Sequence, residues 1–299
     1  MRGILISAAA AIALAFGVVA CSTPVQTPLK TKPASALRIG TYNVHYIILS
    51  KETGSWSVGD WDRRKASMDA AFKTLNVDII GFQEMESFAG RAATDTNLTL
   101  SYLLERNPEF AAAAVGDPAD FPSTQPILYR TDRLSLLDQS WFFFSDTPDV
   151  IYSRTFNGSF PAFASLAQFE DIASGESFHV VNVHFEYSSR SNRLKSAALV
   201  VDRIQPLLDA GEKVIVVGDL YARAGAQTQN ILSDAGLGFL SVQGATYHFN
   251  RGANLFGAID HIGLSEGVSA VGAPHVLREQ FGGEWPSDHY PVVVDIVLN

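Results

Sequence analysis

The sequence predicts an α/β (α+β) chain in which two packed β-sheets carry helices on their outer faces. Three observations point there. Runs such as Lys213 to Val217 and Pro291 to Val297 are near-continuous Val and Ile, the pattern of strands buried on both faces. The order strand, helix, strand over the first part of the chain, with a short return, is the sign of a βαβ-like unit. Strands also outnumber helices by more than a single doubly wound sheet requires, so two sheets are the better architecture.

The elements follow in order. Leu37 to Val44 reads as a strand, and Asp62 to Leu75 as an amphipathic helix with Met68, Ala71, Phe72 and Leu75 at helical spacing. Val77 to Phe82 is a strand. Asn97 to Glu105 reads as a helix with Asn97 as its cap, while Ile127 to Tyr129, Ser140 to Phe144, Ala164 to Phe169 and Phe178 to Phe185 read as strands. Leu194, Ala197, Ala198, Val201 and Ile204 share one helix face, which Pro206 should end or kink. Lys213 to Val217 returns as a strand, Thr228 to Asp234 is a short helix stopped at Gly236, and Ala258 to Leu264 and Pro291 to Leu298 are the last strands. The aromatic run Trp141-Phe142-Phe143-Phe144 is expected in the core.

The N-terminus speaks to location. Met1-Arg2, an apolar stretch from Ile4 to Val19 and a small residue before Cys21 describe a secretory signal over residues 1–20, too short to favour a spanning helix. Val18-Val19-Ala20-Cys21 resembles the bacterial lipobox, which implies a lipidated Cys21, anchorage to the cell envelope and, with Ser22 next, delivery toward the outer membrane. Residues 21–36, rich in Pro, Thr and Ser, then read as the lipidated Cys and a flexible tether. The rest, 37–299, has the size of one large domain, with no second linker and no internal repeat.

Composition excludes several classes. Cys21 is the only cysteine, so no internal disulfide can form, and a zinc site would need His and carboxylates. No HExxH pair is present. The formal charge of −9 argues against tight, non-specific binding of nucleic acid by phosphate neutralisation. It leaves a nuclease open, because a bound cation and a local Arg cluster offset an acidic body.

Chemistry is expected where polar islands end apolar runs: Thr41-Tyr42-Asn43, Gln83-Glu84, Asn182-Val183-His184, Gly218-Asp219-Leu220-Tyr221, Ile259-Asp260-His261 and Ser287-Asp288-His289. Glu84 closes a strand and is a candidate ligand for a hard cation such as Mg²⁺, the competing account being a surface Glu. Asn43 can offer a neutral oxygen near the same ion, and Asp288 can position metal or water. Asp219 can align or deprotonate an attacking water, or else cap its own loop through an Asx turn. His289 is assigned to the phosphate, Asp260 to orienting it, and His184 to the opposite flank. Arg154 and Arg193 are candidate phosphate clamps against a surface reading. His45 should share Asn43's side of its strand, and His248 lies in a polar-aromatic loop.

In this order, TYNV, GFQE, NVHF, GDLY, AIDHI and SDHYPV resemble the endonuclease/exonuclease/phosphatase superfamily, the metal-dependent fold of DNase I-like nucleases, abasic-site endonucleases, inositol-phosphate phosphatases and bacterial sphingomyelinases. The resemblance spans Leu37 to Asn299. It implies a four-layer sandwich, two mixed sheets flanked by helices, and in-line attack by water without a covalent enzyme intermediate. It further implies that Glu84 binds Mg²⁺ (or Mn²⁺) with Asn43, that Asp219 orients water, that His184 and His289 contact the scissile phosphate, that Asp260 pairs with His289, and that Asp288 lies near metal or nucleophile.

Two positions depart from that pattern. Tyr221 stands where the family has Asn, a residue that helps hold the phosphate or nucleophile, and Glu186 stands where many relatives carry Asp. A phenol offers one donor and is far bulkier than an amide. The expected function is a metal-dependent phosphodiesterase or endonuclease. The alternatives are a phospholipid head-group or small-molecule phosphoesterase, and a non-catalytic binding lipoprotein weakened by Tyr221.

Overall fold

A computed structural model describes residues 28–88, 96–158 and 160–299. Residues 1–20, expected to be a signal sequence, and Cys21 lie outside the described residues. Fourteen strands and four helices follow one another as β1 (Leu37–Asn43), β2 (Ile47–Ile48), α1 (Val58–Leu75), β3 (Ile79–Gln83), β4 (Ser87–Phe88), α2 (Leu98–Arg106), β5 (Phe110–Ala113), β6 (Ile127–Arg130), β7 (Leu134–Phe143), β8 (Phe163–Asp171), β9 (Ser177–His184), α3 (Arg190–Asp209), β10 (Val214–Asp219), α4 (Gln227–Asp234), β11 (Gly238–Phe239), β12 (Asp260–Leu264), β13 (Val268–Val276) and β14 (Val292–Leu298).

The strands form two six-stranded mixed sheets, ordered β13-β14-β1-β3-β6-β5 and β11-β12-β10-β9-β8-β7, plus the short pair β2-β4. Each large sheet has one parallel pair in its centre, β1 with β3 and β9 with β10, connected through α1 and α3 respectively. Three apolar layers hold the stack together. Ile39, Ile79, Val180, Ile215, Val217 and Ile262 fill the space between the sheets. Met68, Phe72 and Leu75 of α1 pack on Tyr42, Ile80 and Phe82 of the first sheet, and Ala197, Val200 and Ile204 of α3 pack on Val181, Val214 and Val216 of the second. The order helix, sheet, sheet, helix is the expected four-layer sandwich.

Local sequence explains the helix ends. Asn97 caps α2 by accepting from the Leu100 backbone N–H at 3.0 Å. Helix α1 begins a turn before the expected Asp62, because the Ser57 hydroxyl accepts from Asp60 N at 3.0 Å and starts it at Val58. Helix α3 carries on past Pro206 to Asp209 instead of ending there. Pro206 is exposed, so the carbonyl left without its helical partner faces water. Among the described residues no helix is long and apolar enough to cross a membrane.

The last residues before β1 lie against the domain. Leu29 packs on the first sheet's helix-side core, the Lys30 carbonyl accepts from Arg38 Nη2 at 2.7 Å, and Lys32 Nζ pairs with Asp78. Arg38 also grips Asp295 through Nε and Nη2 at 2.7 and 3.0 Å. This ion network sits where β1 and β3 begin, at the end of the sheet remote from Asn43 and Gln83.

Candidate active site

Sheet register lines up the polar islands. Asp219 is paired with His184 across the parallel β9-β10 ladder and with Asp260 across the antiparallel β10-β12 ladder, so three strand ends present these groups in a row. Asn43 is paired with Gln83 in the facing sheet, which puts Glu84 one residue beyond. A buried polar bridge holds the two sheet ends in alignment. Gln83 Nε2 donates to Asn182 Oδ1 at 2.7 Å, Asn182 Nδ2 donates to Phe82 O at 2.8 Å, and Thr41 Oγ1 donates to Gln83 Oε1 at 3.2 Å. Glycine at 81 is required there, since a Cβ would stand 2.7 Å from Val217 Cγ2 and 2.9 Å from Asn182 Cγ.

His289 joins the row from the loop before β14. Its Nδ1 lies 3.0 Å from Asp260 Oδ2 and its Nε2 3.8 Å from Asp219 Oδ2, all three side chains being buried. Burial alone would lower the imidazole's pKa, but the Asp260 carboxylate, its hydrogen bond and Asp219 push it up to about 10. Burial likewise holds the Asp219 carboxyl well above the usual carboxylate range; Asp260 adds to this and His289 opposes it. Asp219 Oδ1 accepts from Tyr221 N at 2.9 Å, which is the Asx-type turn, while Oδ2 faces His289 and Asn43. Both readings of Asp219 thus fit one side chain.

The opposite flank is Glu84 and His184. His184 Nε2 is 3.6 Å from Glu84 Oε1, and Asn43 Nδ2 donates to Glu84 Oε1 at 3.1 Å and to Asp219 Oδ2 at 3.3 Å. Burial holds His184 below its usual pKa, with Glu84 opposing. The Asn43 amide thus turns its nitrogen toward both carboxyl groups. Its oxygen, which the sequence reading offers to a cation, accepts from His45 N at 3.2 Å. Asp288 sits in the same field, its Oδ1 accepting from Ser287 Oγ at 3.4 Å; burial raises the Tyr46 and Tyr247 phenols, and the Glu84 and Asp288 charges add to it.

Several neighbours carry no advance signal at a strand end. Arg64, on the buried face of α1, donates to the carbonyl oxygens of Val44, Pro286 and His45 at 3.0, 2.8 and 2.6 Å, tying the loops of Asn43 and Asp288 together. Ser287 Oγ donates to Asn43 O at 2.8 Å. Glu86, half-buried beside Glu84, has its carboxyl pushed up to about 7 by burial and by that neighbour's charge. A lone Arg at helical spacing with Trp61 and Met68 is the signal that exposes Arg64's role.

The remaining candidates separate. Tyr221 faces the site, stacked on His184 with centroids 5.7 Å apart. Arg193 Nη1 donates to the Glu186 and Tyr187 carbonyls at 2.8 and 2.9 Å, so it fixes the loop behind His184. Arg154 is exposed and, among the described residues, not joined to this cluster. His45 packs edge-on against Trp56. In the polar-aromatic loop it is Tyr247 that meets His289, at 4.9 Å, while His248 turns inward onto Tyr290 at 3.9 Å and burial lowers its pKa to about 4. His261 lies under the site, its Nε2 2.9 Å from Ala222 O. His45, Trp56, Glu84, Tyr221 and Phe249 all hold left-handed backbone angles, φ 44 to 63°. Such strain in non-glycine residues collects at functional loops.

Residues 40–289 match the Endonuclease/Exonuclease/phosphatase family. The chain belongs to that family. Solved members and relatives share its fold over almost their whole length. A mannosyl-6-phosphatase from Bacteroides thetaiotaomicron is 24% identical with a TM-score of 0.75, the match covering 88% of this chain and 100% of that one. An endonuclease/exonuclease/phosphatase family protein from the same organism is 23% identical (TM-score 0.74; 88% and 98% covered). A Danio rerio TDP2 complexed with single strand DNA product is 16% identical (TM-score 0.62; 88% and 99% covered). None of the curated proteins matches the chain. The family's enzymes cleave phosphoesters and are generally metal-dependent. The donor set here is oxygen-rich and suits a hard cation: the Glu84 and Asp219 carboxyl groups both reach the Asn43 amide, and the buried Asp260 Oδ1 lacks a hydrogen-bond partner.

Proposed function

We propose that the protein is a divalent-metal-dependent phosphoester hydrolase, exported and held to the cell envelope through Cys21. One observation carries the chemistry: a buried acid, imidazole, acid array, Asp260-His289-Asp219, faces a second pair, Glu84-His184, across a single site. Glu84, Asp288 and the Asn43 amide are the proposed holders of Mg²⁺, with Mn²⁺ as a substitute. Such a cation, when bound, neutralises charge on the phosphoryl oxygens.

The protein's own groups supply the rest. Asp219 accepts a proton from the attacking water as the new P–O bond forms in line with the ester bond that breaks. His289, kept protonated by Asp260, donates to a non-bridging phosphoryl oxygen as negative charge gathers there. His184 stands on the other flank with Nε2 unpartnered, placed to contact the phosphate. The ester oxygen leaves as an alcohol by taking a proton from solvent, to which Asp219 returns the one it accepted.

Two features bear on the substrate. Relatives include a mannosyl-6-phosphatase and a TDP2 holding a DNA product, so monoesters and nucleic acid are both represented. Here Arg64 and Arg193 are taken up by backbone carbonyls, which favours a small ester over a polyanion. Product release from a panel of esters, inorganic phosphate from monoesters and alcohol plus monoester from diesters, with Mg²⁺, Mn²⁺ or chelator, tests the reading. Activity should require metal and fall about 10²- to 10³-fold in His289→Ala, and metal titration should weaken in Glu84→Gln. No release above the chelator control on any ester would reject it.

A further inference from the structure

Three rings cluster on one flank of the site. Tyr221 stacks on His184, 5.7 Å away at 30°, and Tyr187 is tilted against Tyr221, 6.2 Å away at 55°. Tyr187 is 61% exposed, yet its backbone is pinned: Arg193 donates to its carbonyl and to that of Glu186, and the Glu186 carboxylate accepts from the Ser188 N–H and hydroxyl at 3.1 and 2.6 Å. Tyr221 is pinned by its N–H to Asp219, at a φ of 44° that a bulky side chain adopts only under constraint. An exposed ring on fixed backbone, such as Tyr187, and a half-buried one such as Tyr221 lose little entropy on contact with a ligand.

The rest of the mouth has the same character. Tyr46 stacks on Trp56 at 6.0 Å and 12°, and Tyr247 is tilted against Phe249 at 4.3 Å and 54°. Between these faces lie the carboxylates of Glu84, Asp219, Asp260 and Asp288, all close enough to act on the Tyr221 phenol. Aromatic faces among acids repel a chain of phosphates. They suit a neutral ring attached to a single phosphate, which the metal and the two imidazoles would hold.

We propose that Tyr221 and Tyr187 form a stacking shelf for the ring of an uncharged alcohol, so that the favoured substrates are small phosphate monoesters of ring-bearing alcohols and Tyr221 sets this specificity. The proposal rests on the phosphoester reading above. A sugar would stack through its C–H face and a nucleoside through its base; the ring is the shared chemistry.

The test compares a hexose 6-phosphate, a nucleoside 5′-monophosphate, acyclic glycerol 3-phosphate and a single-stranded oligonucleotide, using wild type, Tyr221→Ala, Tyr221→Phe and Tyr187→Ala. Wild type should favour at least one ring monoester over glycerol 3-phosphate by about tenfold or more in kcat/KM, mainly through KM. Tyr221→Ala and Tyr187→Ala should erase most of that ratio, and Tyr221→Phe should keep it. The hexose and nucleoside arms identify which ring is taken. The shelf is overturned by a wild type indifferent to the ring, by a ratio that survives Tyr221→Ala, by a Phe variant as impaired as the Ala variant, or by an oligonucleotide cleaved faster than every monoester. Should wild type turn over no ester at all, the hydrolase reading fails and calorimetric binding in chelator judges the shelf alone. Tighter binding of either ring ester than of glycerol 3-phosphate, lost in Tyr221→Ala, supports it; equal affinities overturn it.

Discussion

Replacing Asp260 by Asn keeps the shape of the His289 partner and removes its charge, which makes the coupling between them measurable. With His289 raised from 6.5 to about 10, the pair's ceiling contribution is about 5 kcal/mol at about 1.4 kcal/mol per pH unit. Disrupting one partner of a buried pair costs about 3–5 kcal/mol, so about 3 kcal/mol at neutral pH is the expected loss. The sign is fixed by the direction of the shift. A raised folded pKa gives stability that is complete below pH 6.5, declines as pH climbs, and is gone above about 10. The raised Asp219 carboxyl acts the same way, since the folded state again holds its proton longer than the unfolded chain. Urea unfolding of the metal-free protein in chelator at pH 6, 8 and 10.5 should therefore show the gap between wild type and Asp260→Asn shrinking to under about 1 kcal/mol at the top of the range. A gap that stays constant across those pH values would refute the assignment of Asp260 as the group that holds His289 charged.

Two further substitutions probe the scaffold. Arg64→Met strands three carbonyl oxygens and Asp60, so it should cost about 3 kcal/mol and lower the melting temperature by roughly 10 °C; an unchanged melt would show that the carbonyls find other partners. Gly218 has φ 149° and an added Cβ would meet Val183 O at 1.9 Å, so Gly218→Ala should cost more than about 4 kcal/mol and yield little soluble protein. Soluble, wild-type-like Gly218→Ala on a gel-filtration profile would count against the described β9-β10 approach.

Interior strands were legible in the sequence because burial on both faces demands continuous Val and Ile, as in β10 and β14. Edge strands escaped for the converse reason. β5 is Phe-Ala-Ala-Ala and β13 carries Gly272 and Pro274, residues that an outermost strand tolerates because one side of its ladder is free. The site was legible as residue types at strand ends: Glu84, His184, Asp219, Asp260 and His289 do converge. Their supports were harder to foresee. Gln83 and Asn182 meet only because two sheets face each other, and the Tyr187-Tyr221 ring contact joins residues from different loops, which no periodicity records.

The docking of Lys30 and Lys32 on Arg38 and Asp78 fixes which way the molecule can look. Eight residues lie between Cys21 and Lys30, a reach of at most about 30 Å. A compact domain of this length has a radius of gyration of about 18 Å, so the way around its surface from that end to the catalytic mouth is on the order of 70 Å. If Cys21 carries lipid, the leash is too short to turn the mouth down onto its own bilayer. In that case the site would face away from the membrane, toward solutes.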